Sequence, residues 1–185
     1  ELVDRVLFNP NLDTVGFNAV MEVIKNITIL TMILVGAAVI RERERGTIEH
    51  LLVMPIGPGE IVAAKMWANG TAVLLATAIS LQVITQVLPA GVVGGSIPLF
   101  LAGVVVYVFA VGALGIVLAT VASSMPQFGL LAIPVFVIMI LLSGGMTPFE
   151  NMPPILQYIM CAVPSTHFVK FAQSVMFRGA GLDMV

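Results

Sequence analysis

The sequence predicts an all-α membrane protein built as a polytopic bundle of transmembrane helices, and three observations carry that expectation. Of its 185 residues 59% are apolar and 10% are charged, where a soluble domain averages about 45–50% and about 25%. From Met66 through Phe149 there is no Asp, Glu, Lys, Arg or His, and no water-facing surface of that length is built without them. The apolar residues also fall into four runs near the length a bilayer demands, roughly 20 residues for about 30 Å of hydrocarbon at about 1.5 Å each. Within lipid, backbone polar groups find no partner except one another, so the runs are helices.

The chain opens at Glu1 without a charged segment, short apolar stretch and small-residue cleavage site, so its first apolar run is structure rather than a signal peptide, and the chain reads as a fragment. The first span covers about Val20–Ile40; its uninterrupted apolar part begins only at Ile27, so it also draws in Glu22 and Lys25, which at i,i+3 can pair near the interface. The second covers about Ile61–Leu88 and the third about Pro98–Ala122. The fourth, about Phe128–Gly145, is shorter and carries Pro134, where a lost backbone bond predicts a bend. Gly91, Gly94, Gly95 and Pro98 make a tight turn between the second and third. Ser143, Gly144, Gly145 and Pro148 end the fourth abruptly. Pro153 and Pro154 then open an apolar stretch, Ile155–Val163, too short to cross. Pro164 interrupts it, Ser165 or Thr166 can cap a further helix, and Phe168, Phe171 and Val175 share one side of that helix, while Lys170 and Arg178 reach headgroups.

Four crossings place loops 41–60 and 123–127 on one face, and 89–97 with everything after Met146 on the other. Arg41, Arg43, Arg45 and Lys65 form a dense basic cluster at two span ends, which marks their face cytoplasmic. Arg5, Lys25, Lys170 and Arg178 are as numerous on the other face but scattered, so density rather than count decides. With eight basic and ten acidic residues there is no broad basic face, which excludes nucleic acid as a partner. A single cysteine, Cys161, leaves no intrachain disulfide.

The loop R-E-R-E-R-G-T-I-E-H-L-L-V-M-P-I-G-P-G-E, residues 41–60, is the chain's only dense run of ionisable groups. Gly46 and Thr47 start a short helix, with Thr47 as N-cap and Glu49 in the first turn, where the macrodipole favours an anion. Pro55 and Gly57-Pro58-Gly59 stop it. Ile48, Leu51 and Leu52 make one apolar stripe, while Glu49 and His50 point elsewhere. Two turns are not stable alone, so this helix must lie against something. Pattern leaves two occupants open: the bilayer headgroups, or a groove on a partner protein. The alternating Arg and Glu fit a docking surround and a merely solvated face equally well.

Inside the bundle, Thr71, Gln82, Thr85 and Gln86 share one face of the second span, with Asn69, Thr77 and Ser80 towards the opposite one. Such groups line a pathway or, as the commoner arrangement, bond between helices or to their own backbone. Gly115, Ala119 and Ser123 recur every four residues and allow another helix to approach closely, within the bundle or at a dimer seam. His167 has no second ligand at metal spacing, which favours a capping or interfacial role, and the eleven methionines are scattered as gap-fillers, so no metal site is expected. The chain lacks G-x-x-x-x-G-K-[ST], H-E-x-x-H and G-x-S-x-G, and no acidic pair sits within a span, so no catalysis is expected. The absence of central ionisable residues in the second to fourth spans also argues against an ion-driven carrier.

The run E-R-G-T-I-E-H-L-L-V-M-P-I within Arg41–Pro55 resembles the loop between the second and third spans of type-2 ATP-binding-cassette (ABC) exporter permeases. The likeness continues in S-M-P-Q-F-G-L-L at 124–131, S-G-G-M-T-P at 143–148, and P-S-T-H-F through F-R-G-A-G-L-D at 164–183. Members of that family have six spans, an outer-face domain between the first two, and work as dimers on cytoplasmic ATPase subunits or domains. The resemblance therefore implies that residues 1–19 end the outer-face segment, with Asn9-Pro10 in its tail, and that 20–185 is a transmembrane permease domain holding spans two to five. It makes 41–60 the coupling loop, with Arg45, Gly46, Thr47, Ile48, Glu49, His50, Leu51 and Leu52 contacting the ATPase. It makes 149–178 a pair of short outer-face helices that, with the Ser143, Gly144, Gly145 and Pro148 break, form either an outer gate or a static lid. Relatives often carry a basic residue in the next cytoplasmic loop, where this chain has Ser123-Ser124, which weakens a role for that loop in anchoring the partner.

The function so implied is that of a permease subunit of an ATP-driven exporter in a bacterial inner membrane. It is not itself an enzyme and binds no cofactor; ATP and Mg sit on the partner ATPase. Its other partners are a second permease copy or paralogue and membrane lipid. A charge-free interior suits an amphipathic or lipid-like substrate. The alternative is a non-transporting membrane anchor or scaffold that recruits a cytoplasmic partner through the same loop.

Overall fold

The computed structural model describes residues 14–47, 55, 57–87, 95–144 and 153–178. All regular structure among them is helical: α1 (Thr14–Glu44), α2 (Pro58–Val87), α3 (Ile97–Val121), α4 (Met125–Leu141), α5 (Pro154–Cys161) and α6 (Pro164–Arg178). Prolines mark the starts of α3, α4 and α5, where the missing N–H is one the helix could not have paired. The first three helices are long and apolar enough to cross a bilayer. α4 has 17 residues, about 26 Å at about 1.5 Å per residue, at the lower limit of a span.

α1 is the hub, packing most extensively on α3 and also on α2, α4 and α6. Its buried side chains run the length of the helix, from Val20 and Ile24 through Met32 and Val35 to Ile40. The α1–α3 contact depends on two small residues. A Cβ on Gly115 would lie 2.8 Å from the Met32 carbonyl, and one on Gly36 would meet the Phe128 ring and come within 3.0 Å of the Gly115 carbonyl. Close backbone approach of this kind is how helices associate where lipid removes the hydrophobic drive. α2 is peripheral, burying only Gly70, Val73, Thr77 and Leu81.

Several boundaries differ from those the sequence predicts. α1 begins six residues earlier and ends four later than the expected span, taking in the first charges of the loop, and the expected Lys25–Glu22 ion pair forms within it. α4 is displaced towards the N-terminus, starting at Met125 rather than Phe128 and ending at Leu141 rather than Gly145. Pro126 sets its start, and Gly144, at φ 88°, turns the chain away before the expected end. The helix continues through Pro134. Ser165 and Thr166 lie inside the first turn of α6 rather than capping it, because the helix starts on Pro164. The Ser165 hydroxyl instead donates to the Met139 carbonyl of α4 at 3.1 Å. The expected turn residues Gly91 and Gly94 lie outside the described residues.

Candidate functional site

The charges that end α1 are the natural place to look for function, and most of them are occupied. The helix closes on Gly46, at φ 69°, with the Arg45 and Gly46 amides donating to the Arg41 and Arg43 carbonyls at 3.1 and 3.2 Å. Glycine is the residue that enters this left-handed conformation without strain. Gly46 therefore ends α1, and helical backbone resumes at Thr47, where the sequence expects the next helix to start. Thr47 lies just beyond, its hydroxyl donating back to the Glu42 carbonyl at 3.1 Å.

Glu42 forms an ion pair with Lys65 of α2. The Arg43 guanidinium donates to the carbonyls of Ala122 at 2.8 Å and Ala119 at 3.3 Å, at the C-terminal end of α3. The Glu44 carboxylate accepts the Met125 amide of α4 at 2.9 Å. Arg41 stays on its own helix, donating to the Ala37 carbonyl at 3.3 Å. Arg45 is exposed and its side chain has no partner among the described residues. At the loop's far end, the Gly57 amide donates to the Glu60 carboxylate at 2.9 Å, half of a capping box that fixes the start of α2.

The last carbonyls of a helix and its first amides have no partner within the helix. Arg43 supplies donors to the end of α3, and Glu44 supplies the acceptor at the start of α4, where Ser124 occupies the N-cap position without a side-chain cap bond. A cation at a C-terminus and an anion at an N-terminus both match the macrodipole, each contributing about 0.3–1 kcal/mol and more when partly buried. A further bond from the Ser123 amide to Gln127 at 2.8 Å tightens the same turn. Within the Arg/Glu run Glu42, Arg43 and Glu44 reach other helices, while Arg43 and Glu44 also remain exposed. Of the coupling residues the sequence singles out, Arg45, Gly46 and Thr47 are exposed at this end. Ile48, Glu49, His50, Leu51 and Leu52 lie outside the described residues.

The polar set inside the bundle divides into two. Thr71, Gln82, Thr85 and Gln86 are all exposed on the outer side of α2, with Thr71 and Thr85 donating to their own helix at Ala68 and Gln82 (2.9 and 3.0 Å). Thr77, though buried, back-bonds to Val73 at 2.8 Å. Gly115 and Ala119 are buried, Gly115 directly against α1, so the two sets do not meet. At the opposite end Ser143 is buried with its hydroxyl donating to Ile140 at 2.8 Å, next to the Gly144 turn; Gly145 and Pro148 lie outside the described residues. The His167 ring Nε2 donates to the Cys161 carbonyl at 2.7 Å, closing the C-terminal end of α5. Two features carried no sequence signal. One is a buried hydrogen bond between Thr28 and Tyr107 at 2.7 Å. The other is an apolar groove of about 140 Å³ between α1 and α4, lined by Met32, Ile33, Phe128, Gly129, Ala132 and Phe136.

A helical membrane body with a dense run of charges at the end of α1 fits a membrane-transport protein. The ABC-2 type transporter family matches the chain over residues 6–177. The chain belongs to that family. As an ABC-2 permease and an integral membrane protein, it is similar to the inner membrane transport permease YhhJ of Escherichia coli (strain K12), 50% identical over all of this chain and 49% of the relative. It is also similar to the probable multidrug ABC transporter permease YbhR of the same strain, 34% identical over all of this chain and 50% of the relative. A third, the probable multidrug ABC transporter permease YbhS, is 26% identical over 95% of this chain. The chain spans about half the length of these curated relatives. No solved structure matches it.

Arg43, Glu44 and Lys65 were visible in the sequence only as members of a charge cluster. Their signal lay in Ser124 followed by Pro126, which marks a helix start needing an acceptor, beside a carboxylate at the end of a neighbouring span.

Proposed function

We propose that this ABC-2 permease domain is the central part of an inner-membrane exporter subunit, moved by a separate ATPase that grips loop 41–60 from the cytoplasm. The observation that carries the reading is the joining of that loop to the bundle. It enters through the Gly46 turn at the end of a 31-residue helix and leaves through the Glu60-fixed start of a 30-residue one. A displacement of the loop is then delivered to two long helices at once. With no phosphate-binding loop in the chain, ATP and Mg belong to the partner, and the permease works as a dimer with a second copy or a paralogue. The all-apolar groove between α1 and α4 supports an amphipathic or lipid-like substrate, since it offers no compensation for a desolvated charge.

The test is the double variant Glu49→Arg, Leu51→Arg in the full-length permease. Loss of ATPase co-purification and of efflux, with the permease still in the membrane, is the expected result. Unchanged co-purification and efflux would remove the coupling role.

A further inference from the structure

Loop 41–60 is covalently joined only to α1 and α2, whereas the groove is walled by α1 and α4. α1 also packs on α4 through apolar contacts such as Gly36 on Phe128, but such contacts can slide, and a directional connection is found at the end of α1. We infer that Arg43 and Glu44 are positioning residues that clamp the α3–α4 turn to the end of α1, so that a displacement of the loop carries α4 with it. The inference rests on the coupling role proposed for the loop.

The clamp is built from adjacent residues that grip the turn on both sides. Arg43 reaches three carbonyls at the end of α3, those of Ala122, Ala119 and Thr120, at 2.8, 3.3 and 3.5 Å. Glu44 takes the first amide of α4 at 2.9 Å. Ser124 makes no cap bond of its own, and Glu44 supplies an acceptor to the first of the amides that α4 leaves unpaired. The turn between α3 and α4 is only Ala122, Ser123 and Ser124, too short to absorb a relative movement of the two helices. The contacts are hydrogen bonds between side chain and backbone rather than apolar packing; they have direction, and a tilt of α1 must either break them or take the turn along.

A charge used to bind a partner and an oxygen used to cap a helix respond differently to the same substitution. Glu44→Gln keeps an acceptor oxygen for the Met125 amide and removes the charge; Glu44→Ala removes both. The experiment uses the full-length permease with its ATPase in inverted membrane vesicles, carrying Cys161→Ser and, as a reporter on α4, Gly129→Cys. Gly129 borders the groove, and a Cβ there meets nothing within 4 Å. Maleimide labelling of that cysteine is compared without nucleotide and after trapping with ATP and vanadate. We expect trapping to change the labelling rate several-fold in the Glu44 and Glu44→Gln proteins. In Glu44→Ala and Arg43→Met the change should be lost, although the ATPase still co-purifies and still traps nucleotide. A several-fold change that survives in Glu44→Ala, or no change in the Glu44 protein, overturns the clamp. Loss of co-purification in Glu44→Gln as well as Glu44→Ala would make Glu44 a partner contact and also overturn it. Failure of the ATPase to associate with any of these proteins would fall instead on the coupling role of the loop, and the clamp would go with it.

Discussion

The two ends of the bundle are held by different kinds of contact. At the charged end the helices are joined by side-chain bonds to helix termini and by an ion pair: Arg43 on α3, Glu44 on α4, Glu42 on Lys65 of α2. Towards the other end, rings do the joining. Phe17 of α1 meets Phe177 of α6 at 5.7 Å between centroids, and Phe168 of α6 stacks on Tyr107 of α3 at 4.1 Å and lies 5.7 Å from Phe100. Directional bonds of this kind tie one helix end to the next at about 1 kcal/mol each. A close-packed aromatic cluster resists rearrangement because any gap forfeits many contacts at once. In the proposed coupling, the charged end is where motion enters, and the aromatic half is the frame it works against.

The comparison can be broken most directly through the frame. Phe168→Ala, in a side chain that is 5% exposed, should cost about 3–5 kcal/mol, read as a lower midpoint of unfolding in detergent; a change below about 1 kcal/mol would mean that the rings are not what holds α6 to α3. Next comes the α1–α3 contact that both halves share. Gly115→Leu forces a side chain against the Met32 backbone and should cost about 1–3 kcal/mol or more, seen in the same measurement.

Smaller effects sharpen the contrast. The Thr28 hydroxyl donates its one hydrogen to the Ile24 carbonyl at 2.8 Å, so in the Thr28–Tyr107 bond the tyrosine is the donor. Tyr107→Phe then removes one buried interhelical bond while leaving the ring in place. It should cost about 0.6 kcal/mol and no more than about 1.7. The smallest effect belongs to the charged end: Lys65→Met should change stability by less than about 1 kcal/mol, because the Glu42–Lys65 pair is partly exposed and screened. The difference should shrink further as salt is raised. A larger, salt-independent loss would make this pair part of the frame.

Much of the body was legible in the sequence. Long apolar helices follow from composition because lipid allows little else, and the α3 boundaries fall within one residue of those expected from Pro98 and Ala122. The pairing of Glu22 with Lys25 follows from i,i+3 spacing, a local property. The limits appear where a residue's partner is distant. Arg43 and Glu44 look alike in the sequence to Arg41 and Arg45, yet two reach other helices, one folds back on its own, and one has no side-chain partner among the described residues. In the same way the four-residue spacing of Gly115 and Ala119 announces a close helix contact without saying which helix makes it.

By itself the sequence determined that this is a helical membrane body of the ABC-2 kind, with its one dense run of ionisable groups in a single loop, because hydropathy and short-range spacing are set residue by residue. Only the tertiary structure decided which of the described charges reach another helix and which do not. The Arg43–Ala122 and Glu44–Met125 bonds join residues 79 and 81 positions apart, and a hydrogen bond at 2.8–2.9 Å depends on where two helix ends come to rest, which no local pattern encodes.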